Sequence, residues 1–274
     1  MKYFTALAVL LLTSLSISTA APKTTYFRPH HNKAAVRPNA AGDPVVVNAA
    51  SFEPGISPGG LATVFGQNLT SVSGIIVANS DPLPTTLGGV SVLVNGLPAP
   101  LFSVAFADGQ DQISFQVPYA APVGQSAADV QVFDQGFQTA DIIADSFTED
   151  PGIFVYNGSF AVAVSSIDGS LIGPDNPAIP REVVVLYTTG LGPLSLNLQD
   201  GFGAPSNPLA YTVDPIDVVV DGEHCTVYFS GLAPGFVGLY QVNFRLPADL
   251  PPGNLDLQIR TPFADSRMAT LPSS

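Results

Sequence analysis

The chain predicts an all-β protein made of two β-sandwich units in tandem, and three observations lead there. First, Gln112-Ile-Ser-Phe-Gln-Val-Pro118 and Gln241-Val-Asn-Phe-Arg-Leu-Pro247 share one pattern at an offset of 129 residues: apolar residues at alternate positions, polar residues between them and a closing proline. A period of two marks a strand with one buried face, which turns Ile113, Phe115 and Val117 inward in the first copy and Val242, Phe244 and Leu246 in the second. Ser114, Gln116, Asn243 and Arg245 are then expected to look outward. Second, 26 prolines and 25 glycines punctuate 274 residues that are 46% hydrophobic and only 11% charged, a composition of short strands joined by many turns. Third, one cysteine, Cys225, and no tryptophan exclude an intramolecular disulfide and the Cys–Trp–Cys core of antibody domains. Core packing alone must hold these units together.

Residues 1–20 carry Lys2, an apolar run from Phe4 to Leu12 and then Ser18-Thr-Ala20, the pattern of a signal peptide cleaved near Ala20. No later stretch reaches about 18 uninterrupted apolar residues, so no transmembrane segment is expected. With no cysteine at the cleavage site to carry a lipid, the mature chain is expected to be secreted, or held at the cell surface without a covalent anchor.

Charge is unevenly placed. Lys23, Arg28, Lys33 and Arg37 fall in residues 21–43, a proline-containing stretch with neither a helical nor a strand period, which reads as a basic tether. From residue 44 onward the 22 acidic residues less Asp43 leave 21, against four arginines and no lysine, a formal balance of −17. Such a body repels nucleic acid and anionic membranes. The tether is therefore a solvated linker or an arm that docks on an acidic surface, of another copy or of a partner. His30 and His31 are adjacent, without further ligands nearby in the sequence, and read as incidental.

The first unit is placed at residues 44–150. Val45-Val-Val47 and Leu61-Ala-Thr-Val-Phe65 are strands separated by the turn-rich Glu53-Pro-Gly-Ile-Ser-Pro-Gly-Gly60. Val90-Ser-Val-Leu-Val94 runs into Asn95-Gly96, a strong hairpin signal, from which Pro100 to Phe106 is expected to return. Ala128 to Phe133 and Gln138 to Phe147 complete about seven or eight strands, the content of a sandwich. The second unit, residues 151–274, repeats the order: Phe160 to Ser166, Val183-Val-Val-Leu-Tyr187, Ile216-Asp-Val-Val-Val220 with the turn Asp221-Gly222, the second organising strand, Asn254 to Ile259 and Met268 to Leu271. Ser230 to Gly238 reads as a turn that absorbs three extra residues, where a length change costs little.

Several segments together carry a resemblance: Val46-Val-Asn-Ala-Ala-Ser-Phe52, Leu83-Pro-Thr-Thr-Leu-Gly-Gly-Val90, Pro151-Gly-Ile-Phe154, Thr189-Gly-Leu-Gly-Pro193 and Gly231-Leu-Ala-Pro-Gly-Phe-Val-Gly-Leu-Tyr-Gln-Val-Asn243. Over nearly all of residues 44–274 the chain resembles the two-lobed C-terminal domain family of secreted Solibacter-type acidobacterial proteins. The first unit also looks like the immunoglobulin-like IPT/TIG domains, whose Gly-x-Asn-aliphatic turn matches Gly66-Gln-Asn-Leu69; the second unit departs from it with Thr188-Thr-Gly-Leu191. The resemblance implies two tandem immunoglobulin-like β-sandwich domains and brings no catalytic residue with it.

Chemistry is sparse. His224 is the single histidine of the folded body, and its neighbour Cys225 belongs to the opposite strand face, so the two do not form a thiol-imidazole pair. Among 21 carboxylates no pair is distinguished by spacing for glycoside hydrolysis. Asp108, Asp111 and Asp221 place hard oxygen ligands in or beside turns and are the candidates for Ca2+, although aspartate and glycine are also ordinary turn residues. Phe202, Phe236 and Tyr240, in or near turns, are the candidates for a carbohydrate platform, with Phe236 alternatively plugging the core. The expectation is a secreted, non-enzymatic interaction protein without a resident cofactor, acting in adhesion or extracellular structure on a protein or polysaccharide partner. Self-association through the tether or an uncovered edge strand belongs to the same reading; a carbohydrate- or calcium-binding module using the loops at the sandwich ends is the alternative, and a hydrolase comes third.

Overall fold

A computed structural model describes residues 43–123 and 127–274. Residues 1–42, where the signal peptide and nearly all of the basic tether are expected, with Lys23, Arg28, Lys33 and Arg37, lie outside the described residues. Within them the chain is all β, and no helix is long and apolar enough to cross a membrane.

Nine strands form the first half: β1 (Val45–Asn48), β2 (Leu61–Gly66), β3 (Ile75–Val77), β4 (Val90–Val94), β5 (Leu97–Pro98), β6 (Leu101–Ala107), β7 (Gln110–Gln116), β8 (Ala127–Asp134) and β9 (Phe137–Asp145). They make a five-stranded sheet, β1-β2-β7-β6-β3, and a four-stranded sheet, β5-β4-β8-β9. Val64, Val104, Ile113 and Phe115 from the first sheet and Val92, Val130, Val132 and Ile142 from the second share one buried cluster. The alternation seen in the sequence thus builds a core between two sheets.

Ten strands form the second half: β10 (Gly152–Ile153), β11 (Val155–Tyr156), β12 (Phe160–Ala161), β13 (Ala163–Ser165), β14 (Val183–Thr189), β15 (Asp217–Val220), β16 (Glu223–Leu232), β17 (Tyr240–Arg245), β18 (Gly253–Arg260) and β19 (Ala269–Ser273). The pairing β2-β7-β6 of the first half recurs here as β14-β17-β16, and β4-β8-β9 recurs as β15-β18-β19. One difference merges the second half into a single ten-stranded sheet, with β13 branching from β14. β16 pairs β15 along its first part and β17 along its second, with a bulge between Val227 and Phe229. In the first half Pro98-Ala-Pro100 interrupts the same run, because proline cannot donate to a ladder, and leaves β5 on one sheet and β6 on the other. The strand returning from Asn95-Gly96 is accordingly the two-residue β5, while Leu101–Ala107 crosses to pair with β7, a correction to the expected return of Pro100 to Phe106.

The hairpin turns explain the local sequence. Asn95 and Gly96, Asp108 and Gly109, Gln135 and Gly136, and Asp221 and Gly222 all take positive φ, the geometry of the two-residue turns that match strand twist. The expected Ser230 to Gly238 turn is shorter than the sequence suggests, since Ser230, Gly231 and Leu232 still pair with β17 and the connection itself runs from Ala233 to Leu239.

That connection packs on the first half. Ala49, Ala50 and Leu61 share a buried cluster with Phe154, Ala233 and Leu239, and Val237 joins Ala78 and Leu83 in another. Polar bonds stitch the same seam. The Asn48 side chain donates to the Asp150 carbonyl at 2.7 Å, the Gly201 amide to Gln116 Oε1 at 2.7 Å, and the Tyr119 amide to Asp200 Oδ1 at 2.8 Å. Gln116 and Ser114 are therefore buried rather than outward-facing. The Gly201 amide caps Gln116 Oε1, and the Ser114 hydroxyl pairs with that of Thr63 at 3.1 Å, so these two groups on the polar face of the strand meet partners within the protein. In the second copy Arg245 is exposed and Asn243 half-buried.

Candidate functional site: an open sheet edge and a buried acid pair

Edge strand β3 ends the five-stranded sheet. The Ala78 amide donates to the Phe102 carbonyl and the Phe106 amide to the Gly74 carbonyl, both at 2.8 Å, in register with the Ile76–Val104 pair of β3 and β6. In an antiparallel ladder this directs the backbone groups of alternate residues, Ile75 and Val77, away from β6. Their N–H and C=O meet no backbone partner among the described residues. The Ile75 and Val77 side chains are 53% and 44% exposed, and no charged residue occurs from Thr70 to Ser80. Natural edges are kept short or carry charge, proline or a cover to prevent pairing; this one is three residues long but has no charge or proline, and no strand pairs its outer side among the described residues.

The second half provides the contrast. Beside β16, the counterpart of β6, Tyr211 bridges Gly231, and the Thr212 amide donates to the Ser230 carbonyl at 2.9 Å. The outer side of this segment is occupied: the Ser195 amide donates to the Tyr211 carbonyl at 2.8 Å, and the Val213 amide to the Pro193 carbonyl at 2.9 Å. The longer connection after β14 supplies this cover, which the short connection between β2 and β3 does not.

The aromatic candidates do not form a platform. Tyr240 is fully buried and its hydroxyl donates to the Gly192 carbonyl at 2.7 Å, because β17 begins one residue earlier than the repeated motif and pairs Tyr240 with both Thr188 and Leu232. Phe236 is half-buried against the seam cluster, the plugging role. Phe202 alone of the three is exposed.

The calcium candidates are likewise not brought together. Asp108 and Asp221 open hairpin turns in different halves with φ of 53° and 49°. Asp111 is 2% exposed, and its Oδ2 accepts from the Leu69 amide at 2.7 Å, closing the Gly66-Gln-Asn-Leu69 turn. Among the described residues no group of three or more His, Cys, Asp or Glu side chains is placed to hold a metal ion. Cys225 is half-buried, and burial with the nearby Asp217 carboxylate pushes its thiol up to about 12, which keeps it protonated and unreactive. His224 points to solvent and meets Asp217 Oδ1 at 2.9 Å.

Sequence reasoning missed a pair of acids on neighbouring connections. Glu149 lies in the segment joining β9 to β10 and is 2% exposed. Its Oε2 accepts from the Phe263 amide at 3.3 Å, the Thr261 side chain bonds the same carboxyl, and the Asp214 carboxyl is within hydrogen-bonding reach. Burial, with Asp214 adding to it, holds Glu149 above the ordinary carboxylate range. Residues 149, 214 and 261 are too far apart in the chain for any local spacing to signal them.

No family model matches the chain, and no curated protein matches it. Among solved structures it is similar to SGBP-B of the Bacteroides ovatus mixed-linkage glucan utilization locus, solved with a mixed-linkage heptasaccharide, at 12% identity and a TM-score of 0.32. That likeness covers 80% of this chain and 43% of that one, so the chain spans less than half the length of this neighbour. The C-terminal domain of the Streptococcus agalactiae AgI/II polypeptide BspA matches at 11% identity and a TM-score of 0.19, over 85% of this chain and all of that one. The endo-fucoidan hydrolase MfFcnA4 of glycoside hydrolase family 107 matches at 12% identity and a TM-score of 0.16, over 86% and 29%. Likenesses this distant decide nothing about the site.

Proposed function

We propose that the chain is a secreted, non-enzymatic interaction protein, two tandem immunoglobulin-like sandwiches related by duplication, working in adhesion or extracellular structure. The recurrence of β2-β7-β6 as β14-β17-β16 supports the duplication. The observation that carries the function is the open edge at β3. Unpaired backbone groups at Ile75 and Val77, flanked by exposed apolar side chains, fit partners that add a strand, where main-chain hydrogen bonds give affinity and side chains give selectivity.

Two features support a non-enzymatic reading. Cys225 is held protonated and His224 is paired with Asp217 at the surface. The acids brought together, Glu149 and Asp214, touch each other directly, whereas glycoside hydrolysis needs carboxyls separated by about 5 to 9.5 Å to admit the sugar or water. The seam between the halves supports a rigid body that presents the edge in a fixed direction.

The test is retention of the mature chain on cells and extracellular material of the secreting organism, comparing wild type with the double variant Ile75→Lys, Val77→Pro. These changes charge the edge and delete an outward N–H without touching the Ile76–Val104 pair. Retention should fall at least tenfold while circular dichroism stays unchanged. Equal retention of a folded double variant would remove the edge from the mechanism.

A further inference from the structure

The two oxygens of Glu149 have different fates. Oε2 is fixed by the Phe263 amide, with Thr261 bonding the same carboxyl, while Oε1 is buried and has no hydrogen-bond partner among the described residues. The backbone holds the side chain in place from the other side. At Gly192, where φ is +87°, a Cβ would come within 2.7 Å of Glu149 Cγ, 3.2 Å of Oε1 and 3.3 Å of the Thr148 carbonyl oxygen, so only glycine leaves room for this carboxyl. The Gly192 carbonyl is itself pinned by the Tyr240 hydroxyl. Across from Glu149 stands the half-buried Asp214 carboxyl.

Two carboxyl oxygens that face each other are both acceptors, and their contact requires a positive species between them. Among the described residues the charges acting on Glu149 include no arginine, lysine or histidine, and Asp214 is the charge that weighs on it. An orphaned, buried carboxylate oxygen is costly unless something satisfies it. We propose that Glu149 Oε1 and the Asp214 carboxylate bind a divalent cation, calcium, at the junction between the two halves. The donors are hard oxygens. Asp214 is half-exposed, so solvent reaches it, and calcium, unlike magnesium, accepts an irregular ligand set completed by water. With two charged ligands the affinity belongs with that of extracellular modules, a Kd of about 10⁻⁴ to 10⁻³ M. The ion ties the segment leaving β9 to the connection before β15 and, through Glu149, to the loop after β18. It would thereby act on the junction and not on the β3 edge.

The experiment is calorimetric titration of chelator-treated mature protein with calcium chloride near neutral pH, paired with thermal unfolding. One calcium should bind per chain, and Tm should rise by about 3 to 6 °C at a tenfold excess over Kd, with a smaller rise in magnesium. Glu149→Gln keeps an oxygen for the Phe263 amide but removes the charge, and should abolish both binding and the calcium-dependent rise. If that variant does not fold, Asp214→Asn provides the same reading. A wild-type Tm that does not respond to calcium up to about ten times the upper Kd overturns the site and leaves a shared proton as what lies between the acids. A calcium response that survives in both variants overturns it equally, by placing the ion elsewhere.

Discussion

Leu61 and Thr189 are joined directly across the seam: the Leu61 amide at the start of β2 donates to the Thr189 hydroxyl at 2.8 Å, and that hydroxyl donates onward to the Gly238 carbonyl at 3.0 Å. One buried side chain thus satisfies two backbone groups, one in each half. Thr189→Val keeps the shape and orphans both, at about 1 to 3 kcal/mol for each group. Thr189→Ser should retain most of the stability. Urea unfolding followed by far-UV circular dichroism should show a lower midpoint for the valine variant; an unchanged midpoint would mean that the Thr189 hydroxyl adds nothing to stability.

What the sequence made legible was periodicity and turn chemistry. Phe115 and Phe244 point into cores because alternation says which residues share a face, and Asn95-Gly96 and Asp221-Gly222 turn because their φ values require it. Alternation does not say what covers the opposite face. Gln116 reads as outward, yet Gly201, 85 positions away, caps it. Tyr240 reads as a turn aromatic because the repeated motif starts one residue later, while its position is set by the pairing with Leu232. The cover over Tyr211 and the contact of Glu149 with Asp214 depend on connections whose path only the folded chain determines.

Asp111 separates a structural carboxylate from a cation ligand. Its Oδ2 closes the turn at Leu69 from a buried position, so Asp111→Ala should cost about 1 to 3 kcal/mol by orphaning that amide. Chemical denaturation measures the loss. Calorimetry on the same variant should show calcium binding unchanged, and a loss of calcium binding without a loss of stability would reverse the assignment.

Edge pairing and the basic tether predict different association behaviour. The outward groups of Ile75 and Val77 match those of a second β3 run antiparallel, and the absence of charge from Thr70 to Ser80 removes local repulsion between two acidic chains. Three residues bury far less than the roughly 1,600 Å² of a standard interface, so such self-association should be weak and concentration-dependent. Light scattering behind size exclusion, at low and high salt, should show an association that Val77→Pro removes and that a chain starting at Pro44 retains. Loss on shortening instead, with a strong salt dependence, would assign association to Lys23, Arg28, Lys33 and Arg37.

The acid pair predicts a pH dependence with a definite sign. The titratable groups facing Glu149 are Asp214 and the Tyr240 hydroxyl, and burial first, then Asp214, raises the Glu149 pKa in the folded state. A raised carboxyl holds its proton more tightly folded than unfolded. Its contribution to stability is therefore complete below the unfolded value and is lost as pH rises through the folded one. Calcium competes for the same oxygens, so its affinity should increase over that window, with release of a proton. Because other carboxylates also titrate there, the readout is the difference between wild type and Glu149→Gln. Without calcium the wild-type Tm should fall relative to the variant from mildly acidic toward neutral pH, and millimolar calcium should flatten that difference. Parallel Tm profiles for the two proteins at every pH, with and without calcium, would show that Glu149 neither holds a proton nor yields it to an ion.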